Sequence, residues 1–130
     1  MTHKVEWLKD KRVLLAEFFG HQNEDTLRAC MDEMVAEFDT CDAPVAALID
    51  WRGVTERDVK ALLNMRGHRA YSHPIAARSV FVGMDGLAQF ENEISAVKTR
   101  ESKNTQYYDT MEEALAYLGE MFIDDPFQSN

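Results

Sequence analysis

The segment Asp50-Trp51-Arg52-Gly53-Val54-Thr55 combines charged, aromatic and hydroxyl side chains directly after the apolar run Val45–Ile49. Asp85 and Gly86 hold the equivalent place after the next apolar run of the chain. In open α/β sheets, ligands bind where strands end and helices begin, because the helix amides point into that crevice. The sequence therefore predicts a ligand site at these strand ends, formed by Asp50, Trp51, Arg52, Thr55, Asp85 and Gly86.

The residue types in this predicted crevice favour a small anionic ligand that also has an apolar portion. A helix N-terminus carries roughly half a positive charge, Arg52 adds a full charge, and Trp51 can cover an apolar group. A purely structural interpretation stays open beside this one. In that interpretation Asp50 and Asp85 bond backbone amides, and Trp51 covers the end of the sheet.

Patterns typical of common catalytic and metal sites are missing from the sequence. It has no GxxxxGK[ST] phosphate loop, no GxGxxG, no GxSxG nucleophile turn and no HExxH zinc motif. His68 and His73 are five residues apart, which places them on different faces of a helix. Cys30 and Cys41 do not form a CxxC pair, so both are expected to be reduced thiols. We expect no cofactor, no metal and no enzymatic activity.

Length and charge exclude several further classes. The 130 residues suffice for one domain with a single core. A net charge of −9 repels phosphate backbones, so no nucleic-acid partner is expected. No run approaches the roughly 18–20 apolar residues that a membrane span needs, and residues 1–12 lack the apolar region of a signal peptide. These features predict a cytoplasmic protein.

Apolar residues at a period near 3.6 predict four helices. Their ranges are Glu24–Phe38, Glu56–Ala70, Gly86–Arg100 and Met111–Phe122. Thr55 is the expected N-cap of the second helix, where Thr55-Glu56-Arg57-Asp58 resembles a capping box. In the third helix one face is apolar and is expected to be buried; it consists of Leu87, Phe90, Ile94 and Val97.

Short apolar runs between the helices predict strands. Their ranges are His3–Leu8, Val13–Phe19, Val45–Ile49, Ser79–Gly83 and Gln106–Tyr108. The first two form a β-hairpin across Lys9-Asp10-Lys11, and the strand–helix alternation that follows favours parallel pairing. The predicted fold class is α/β: a mixed sheet of about five strands with an N-terminal β-hairpin and four helices. Residues 1–130 are expected to form a single domain, with residues 123–130 as a loose tail.

This order of elements resembles the SpoIIAA-like superfamily, which includes the STAS domains. The resemblance rests on the hairpin Val5–Phe18, the run Ala46–Asp50 with its Gly53-Val54-Thr55 turn, and the closing segment Tyr108–Leu118. It is strongest to the small stand-alone bacterial proteins of this fold, which have no assigned activity. Signalling members carry a phosphorylatable Ser after an Asp. The matching pair here is Asp58-Val59, and valine has no hydroxyl group.

The resemblance implies a non-catalytic protein-interaction module that lacks this phosphoacceptor. A related branch of the fold binds lipids, so the alternative is a small-ligand or lipid-binding domain with the anion-preferring site described above. We expect a homodimer or another protein partner. The aromatic residues expected to be partly exposed, and available for self-association, are Trp7, Tyr107, Tyr108 and Phe127.

Overall fold

The structure is a computed structural model that describes residues 1–96 and 104–123, without the side chains of residues 104 and 121–123. The strands are β1 (His3–Lys9), β2 (Val13–Gln22), β3 (Val45–Arg57), β4 (Ala76–Val82) and β5 (Asn104–Tyr108). The helices are α1 (Glu24–Phe38), α2 (Arg69–Ser72), α3 (Gly86–Ala96) and α4 (Met111–Ile123), with a 3₁₀ turn at Leu63–Met65.

The strands of the described residues form one mixed sheet in the order β1-β2-β3-β4-β5. β1 pairs antiparallel with β2, with Val5 opposite Ala16, and every other neighbouring pair is parallel. The predicted hairpin and the predicted fold class are therefore confirmed. The predicted tail lies almost wholly outside the described residues, and Ile123 is the last residue of α4.

The two faces of the sheet carry separate apolar cores. On one face, α1, the 3₁₀ turn and α3 pack over strand residues such as Phe18, Ile49 and Phe81. On the other face, α4 is the one helix of the described residues that packs, through Ala114 and Leu118, over a second set of strand residues. Since successive strand side chains point to opposite faces, β3 supplies both cores in alternation. The neighbours Val80 and Phe81 of β4 are divided between the two cores in the same way.

Helix α1 has the predicted bounds and buries the predicted stripe. Asn23 caps it, since its side chain accepts a hydrogen bond from the Thr26 amide at 2.9 Å. The Thr26 hydroxyl in turn accepts from the Asn23 amide at 2.8 Å, which completes a capping box. The buried stripe consists of Leu27, Cys30, Met31, Met34, Val35 and Phe38.

The predicted helix Glu56–Ala70 is wrong. β3 continues to Arg57, because β2 extends to Gln22 and offers backbone partners along this length. Lys60 and Gly67 have positive φ angles of 66° and 86°, which a continuous helix does not allow. Of the predicted segment, the 3₁₀ turn and the first residues of α2 are helical. Thr55 is consequently an exposed strand residue and caps no helix.

The predicted inward face of α3 is also wrong. Leu87 and Phe90 are each 62% exposed, and Ile94 is partly exposed, while Val97 lies outside the described residues. The face that packs against the sheet consists of Ala88, Glu91, Asn92, Ser95 and Ala96. These small and polar side chains allow α3 to lie close to the rest of the molecule, and their polar atoms find partners there. The Ser95 hydroxyl, for example, donates to the Leu62 carbonyl at 2.7 Å.

Among the helices that the structure describes, none is both long enough and apolar enough to cross a membrane.

Candidate functional site

The residues of the predicted crevice do not form one surface, because most of them belong to a strand. Asp50, Trp51, Arg52 and Thr55 all lie within β3 rather than in a turn before a helix. Trp51 packs into the core beneath α1 and α3. Since side chains alternate along a strand, Asp50 points to the opposite face, as its neighbour Leu48 does. The expected helix N-terminus after Thr55 does not exist.

Asp50 and Arg52 form an ion pair of their own. Arg52 donates from Nε to Oδ1 of Asp50 at 3.0 Å and from Nη2 to Oδ2 at 2.8 Å, and its backbone amide also donates to Oδ1 at 3.0 Å. Burial alone would raise the pKa of Asp50, but the hydrogen bonds from Arg52 outweigh it and hold that pKa below its ordinary value. The guanidinium is therefore already neutralised, which weakens the case for an anionic ligand here.

The loop before α3 does approach β3, as expected. A Cβ atom added to Gly83 would lie 2.5 Å from Cγ of Arg52, so only glycine fits this contact. Asp85 then caps α3, because its Oδ1 accepts a hydrogen bond from the Ala88 amide at 2.8 Å. Gly86 is the first residue of α3. Both aspartates thus have the structural role that the sequence left open.

Trp51 lines a partly open cavity of about 70 Å³ between the sheet and its helices. Its ring contacts Phe18, with ring centroids 5.1 Å apart. The wall contains three methionines, Met31, Met34 and Met84, whose flexible side chains adapt readily to a guest. Engineered apolar cavities of about 150 Å³ bind benzene. This cavity holds only a small group unless its methionines move.

One side of this cavity carries a series of partly buried hydrogen bonds. The Tyr71 hydroxyl donates to Oδ1 of Asn92 at 2.8 Å, and Nδ2 of Asn92 donates to the Tyr107 hydroxyl at 3.0 Å. The Tyr107 hydroxyl donates in turn to Glu93 at 2.6 Å. Burial is the first cause that raises the pKa of both phenols above the ordinary value. Both phenols therefore stay protonated at neutral pH, and each hydroxyl can donate its hydrogen bond to Asn92 or Glu93.

The outer face of α3 is the second feature with functional potential. Leu87 and Phe90 lie one turn apart and project from the surface with most of their area exposed. Beneath them Glu91 is 8% exposed and forms an ion pair with Arg57 at 2.5 Å. This inner anchor fixes the rotation of α3 about its axis. With this rotation, Leu87 and Phe90 lie on the outer surface of the molecule.

All four histidines contact carboxylates, although none was expected to have a role. Among these contacts, His3 meets Glu33, His68 meets Asp32 and His73 meets Asp39, and all three carboxylates belong to α1 or its C-cap. The fourth, His21, meets Asp58. Among the described residues, no group of three or more His, Cys, Asp or Glu side chains is arranged to hold a metal ion.

Sequence reasoning missed both the cavity and the exposed face. The cavity depends on contacts among distant elements, for which the sequence carries no local signal. The rotation of α3 did leave a signal: Ala88, Glu91, Asn92, Ser95 and Ala96 also follow helical spacing. Hydrophobicity alone favours the competing stripe of Leu87, Phe90 and Ile94.

These features lie on a SpoIIAA-like fold, which comparison with solved structures shows. One similar structure is an uncharacterised protein of the DUF3478 family from Shewanella loihica PV-4, described as having a SpoIIAA-like fold. It matches with a TM-score of 0.61 and 14% identity, over 90% of this chain and 92% of that one. Another is the anti-sigma factor antagonist SpoIIAA in its unphosphorylated form. It matches with a TM-score of 0.59 and 14% identity, over 92% of this chain and 97% of that one.

No protein-family model matches the chain, and the comparison with curated proteins finds no match. At this identity the two structures establish the fold and carry no residue-level correspondence.

Proposed function

We propose that this protein is a non-catalytic protein-interaction module whose binding surface is the outer face of α3. The observation that carries the proposal is the exposure of Leu87 and Phe90, each 62%, on a helix whose buried face is polar. A helix folding only for its own domain would gain free energy by burying those two side chains. Exposed apolar residues of this kind mark interaction sites when they are adjacent.

The occupant that the observations favour is a different protein with an apolar patch surrounded by basic residues. The chain has a net charge of −9, and exposed Asp85 lies two residues from Leu87, so a basic rim would complement this surface. The SpoIIAA structure is that of an anti-sigma factor antagonist, which supports a protein partner for this fold.

A homodimer is the less favoured form of this proposal. Trp7, Tyr107 and Tyr108 are partly exposed, but each already has a partner within the chain. The Trp7 indole donates to Glu37 at 2.8 Å, Tyr107 stacks on Phe81, and Tyr108 contacts Tyr117. The fourth expected residue, Phe127, lies outside the described residues. Two acidic copies would also repel each other, weakly at physiological salt.

We further propose that this module does not use the phosphorylation switch of the signalling relatives. Val59 occupies the position that the resemblance assigns to the phosphoacceptor, and it is 85% exposed in the turn after β3. A kinase could reach this site, but the side chain offers no oxygen to modify. Residues 56–70 contain no Ser, Thr or Tyr, so Thr55 is the hydroxyl residue to follow. Mass spectrometry after incubation with such a kinase is expected to show no phosphate on Thr55, and stoichiometric phosphate there contradicts the proposal.

Site-specific photo-crosslinking tests the interaction surface. A photoreactive amino acid replaces Phe90 in one variant and Leu115 in a matched control, since Leu115 is also exposed, at 46%, on the opposite side of the sheet. Position 90 is expected to form one discrete adduct, which mass spectrometry identifies and which is rebuilt from purified components. Equal adducts at both positions would contradict the proposal. An adduct of two copies of this chain would support the homodimer instead.

The alternative function, binding of a small or lipid-like ligand, is favoured by the cavity that Trp51 lines. Of the six residues predicted to form a site, Trp51 alone lines it. An anion at the strand ends would compete for Arg52 with Asp50, which holds it through two side-chain bonds. The cavity is therefore the better place for a ligand, and its apolar wall favours an apolar one.

Native mass spectrometry of the purified protein tests this alternative. A retained small molecule is expected to be lost in Ala96→Leu, because residue 96 lines the cavity and a larger side chain fills it. Ala36→Leu on the exposed side of α1 is the matched control and is expected to retain the molecule. Equal retention by both variants would place the ligand elsewhere, and no retained molecule in the wild type would remove the support for this function.

A further inference from the structure

Strand β1 forms one edge of the sheet in the described part of the chain, because it comes first in the strand order and pairs with β2. Its regular part is His3–Trp7, since the register with β2 shifts between Trp7 and Lys9. Val5 is the middle residue of this regular part. An edge strand presents backbone groups with which another strand can pair.

The pairing with β2 decides which backbone groups of β1 face outward. The Phe19 amide donates to the Thr2 carbonyl at 2.8 Å, and the register places these two residues opposite each other. Hydrogen-bonded and non-hydrogen-bonded pairs alternate along an antiparallel ladder. Lys4 and Glu6 therefore direct their backbone groups toward β2. The residues whose backbone N–H and C=O groups point outward along the edge are His3, Val5 and Trp7.

Contacts with α1 hold β1 in this extended conformation. Nε2 of His3 lies 2.5 Å from Oε2 of Glu33, and the Trp7 indole donates to Oε1 of Glu37 at 2.8 Å. Val5 and Trp7 also pack against the apolar core to which α1 contributes. An edge that is already extended and fixed loses little conformational freedom when a second strand pairs with it.

The other face of β1 carries two opposite charges, placed symmetrically about Val5. Since side chains alternate along a strand, Lys4 and Glu6 share this face, and Nζ of Lys4 lies 3.4 Å from Oε1 of Glu6. Their side chains are 51% and 42% exposed, so both are accessible to a second chain. Charges on an edge strand generally prevent pairing with other chains. Here their signs and positions disfavour most alignments of two copies and favour one.

An antiparallel alignment of two β1 strands about a two-fold axis at Val5 satisfies both the backbone and the charges. The outward groups of Val5 then meet those of Val5 in the other copy, and His3 meets Trp7. Lys4 of each copy lies opposite Glu6 of the other, in the pairs whose side chains approach most closely. A shift of two residues, the smallest that keeps the outward groups face to face, places Glu6 opposite Glu6 or Lys4 opposite Lys4.

We propose that β1 is a self-association edge, through which two copies of this protein form a two-fold dimer with one continuous sheet. Two-fold dimers are the commonest closed assemblies. Helix α3 follows β4, toward the opposite edge of the strand order, so the dimer leaves the proposed protein-binding face of α3 free in each copy. The net charge of −9 on each chain opposes this association weakly at physiological salt.

Charge reversals on β1 test the alignment. Glu6→Lys and Lys4→Glu each place like charges opposite each other at two positions of the dimer, and each is expected to weaken self-association at least roughly tenfold. A mixture of these two single variants is expected to form a heterodimer, because every opposing pair then has opposite charges. For the same reason, Lys4→Glu with Glu6→Lys in one chain is expected to restore the homodimer. Glu120→Lys, at an exposed position of α4, is the matched control for the change in net charge.

Sedimentation equilibrium measures the self-association of each variant, after circular dichroism has verified that it folds. Native mass spectrometry of the mixture, with one variant isotope-labelled, identifies the heterodimer. A wild type that stays monomeric at every protein concentration overturns the proposal. Single variants that associate as the wild type does, or a mixture without heterodimer, overturn it equally.

Amide hydrogen exchange of the wild type gives a second measurement that needs no substitution. A rise in protein concentration that makes most of the protein dimeric is expected to slow exchange of the Val5 amide at least roughly tenfold, the factor for one hydrogen bond gained. The Glu6 amide faces β2 in both states and is expected to keep its exchange rate. A dimer in which the Val5 amide exchanges as it does in the monomer contradicts pairing through β1.

Discussion

Helices α1 and α3 pack on the same face of the sheet and are both amphipathic, and yet they turn opposite faces toward it. α1 buries its apolar stripe, including Leu27 and Phe38, and exposes acidic side chains. α3 buries Glu91, Asn92 and Ser95 and exposes Leu87 and Phe90. The difference shows that hydrophobic periodicity identifies a helix reliably, whereas its orientation depends on the partners that the rest of the chain provides.

The largest expected difference between the two helices concerns stability. Phe38→Ala removes a fully buried ring and is expected to lower the free energy of unfolding by about 3–5 kcal/mol. Phe90→Ala removes a ring that is 62% exposed and is expected to change it by no more than about 0.5 kcal/mol. Urea unfolding followed by circular dichroism measures both. A large loss for Phe90→Ala would show that α3 buries its apolar face after all.

The next largest expected effect on stability comes from the polar face of α3 that packs against the rest of the molecule. Glu91→Ala leaves the guanidinium of Arg57, whose side chain is 13% exposed, without the partner that neutralises it. Breaking a buried pair in this way costs about 3 kcal/mol, which the midpoint of urea unfolding would reveal. Glu112→Ala, at an exposed position of α4, is the control and is expected to have little effect. Similar midpoints for both variants would mean that Glu91 does not anchor α3.

Loss of the N-cap side chain is expected to destabilise the protein more at α1 than at α3, and both losses are smaller than those above. Asn23 takes part in a reciprocal capping box with Thr26, so Asn23→Ala is expected to cost about 1–2 kcal/mol. Asp85 makes a one-way capping bond to the Ala88 amide, and Asp85→Ala is expected to cost about 0.5–1 kcal/mol. The comparison uses thermal unfolding at neutral pH. Loss of a bound ligand without loss of stability in Asp85→Ala would instead restore its role in a binding site.

The smallest effect concerns the C-terminus of α1 in acid. The hydrogen bond from His73 is the main cause that lowers the pKa of Asp39, partly opposed by desolvation and aided by Arg69. A carboxyl group with a lower pKa in the folded state than in the unfolded state stabilises the fold above its unfolded-state pKa, which is about 3.9. This stabilisation is lost as the pH falls through the folded-state pKa. Asp39→Asn is expected to flatten the stability profile below about pH 4. An unchanged profile would contradict the pairing.

Local sequence signals predicted those parts of the molecule that local interactions decide. The bounds of α1 followed from its stripe and from Asn23, and the hairpin followed from alternation around Lys9–Lys11. The predicted strands Ser79–Gly83 and Gln106–Tyr108 begin two or three residues later than β4 and β5, because backbone pairing with the neighbouring strand decides where each strand begins. The pattern of Glu56–Ala70 satisfied a helical period, but pairing with the long β2 strand overrode it up to Arg57.

The candidate site was less predictable, since it depends on contacts between distant residues. Asp50 and Arg52 are two residues apart and therefore share a face once β3 is known to continue through them. In this ion pair Asp50 neutralises the positive charge of Arg52, which the sequence analysis assigned to binding an anionic ligand. The hydrogen bonds from Tyr71 to Glu93 join α2, α3 and β5, and no spacing within the sequence reveals such a chain.

The interaction surface is tested most directly by an affinity measurement. The partner identified by crosslinking is titrated with a variant of this protein that carries two substitutions in α3. Leu87→Glu with Phe90→Glu changes two exposed side chains and is expected to leave the urea midpoint of the isolated protein nearly unchanged. Calorimetric titration is expected to show at least roughly hundredfold weaker binding, the loss that two central apolar contacts produce. Leu115→Glu on α4 is expected to bind as the wild type does. An unchanged Kd for the double variant would contradict the assignment of α3 as the binding surface.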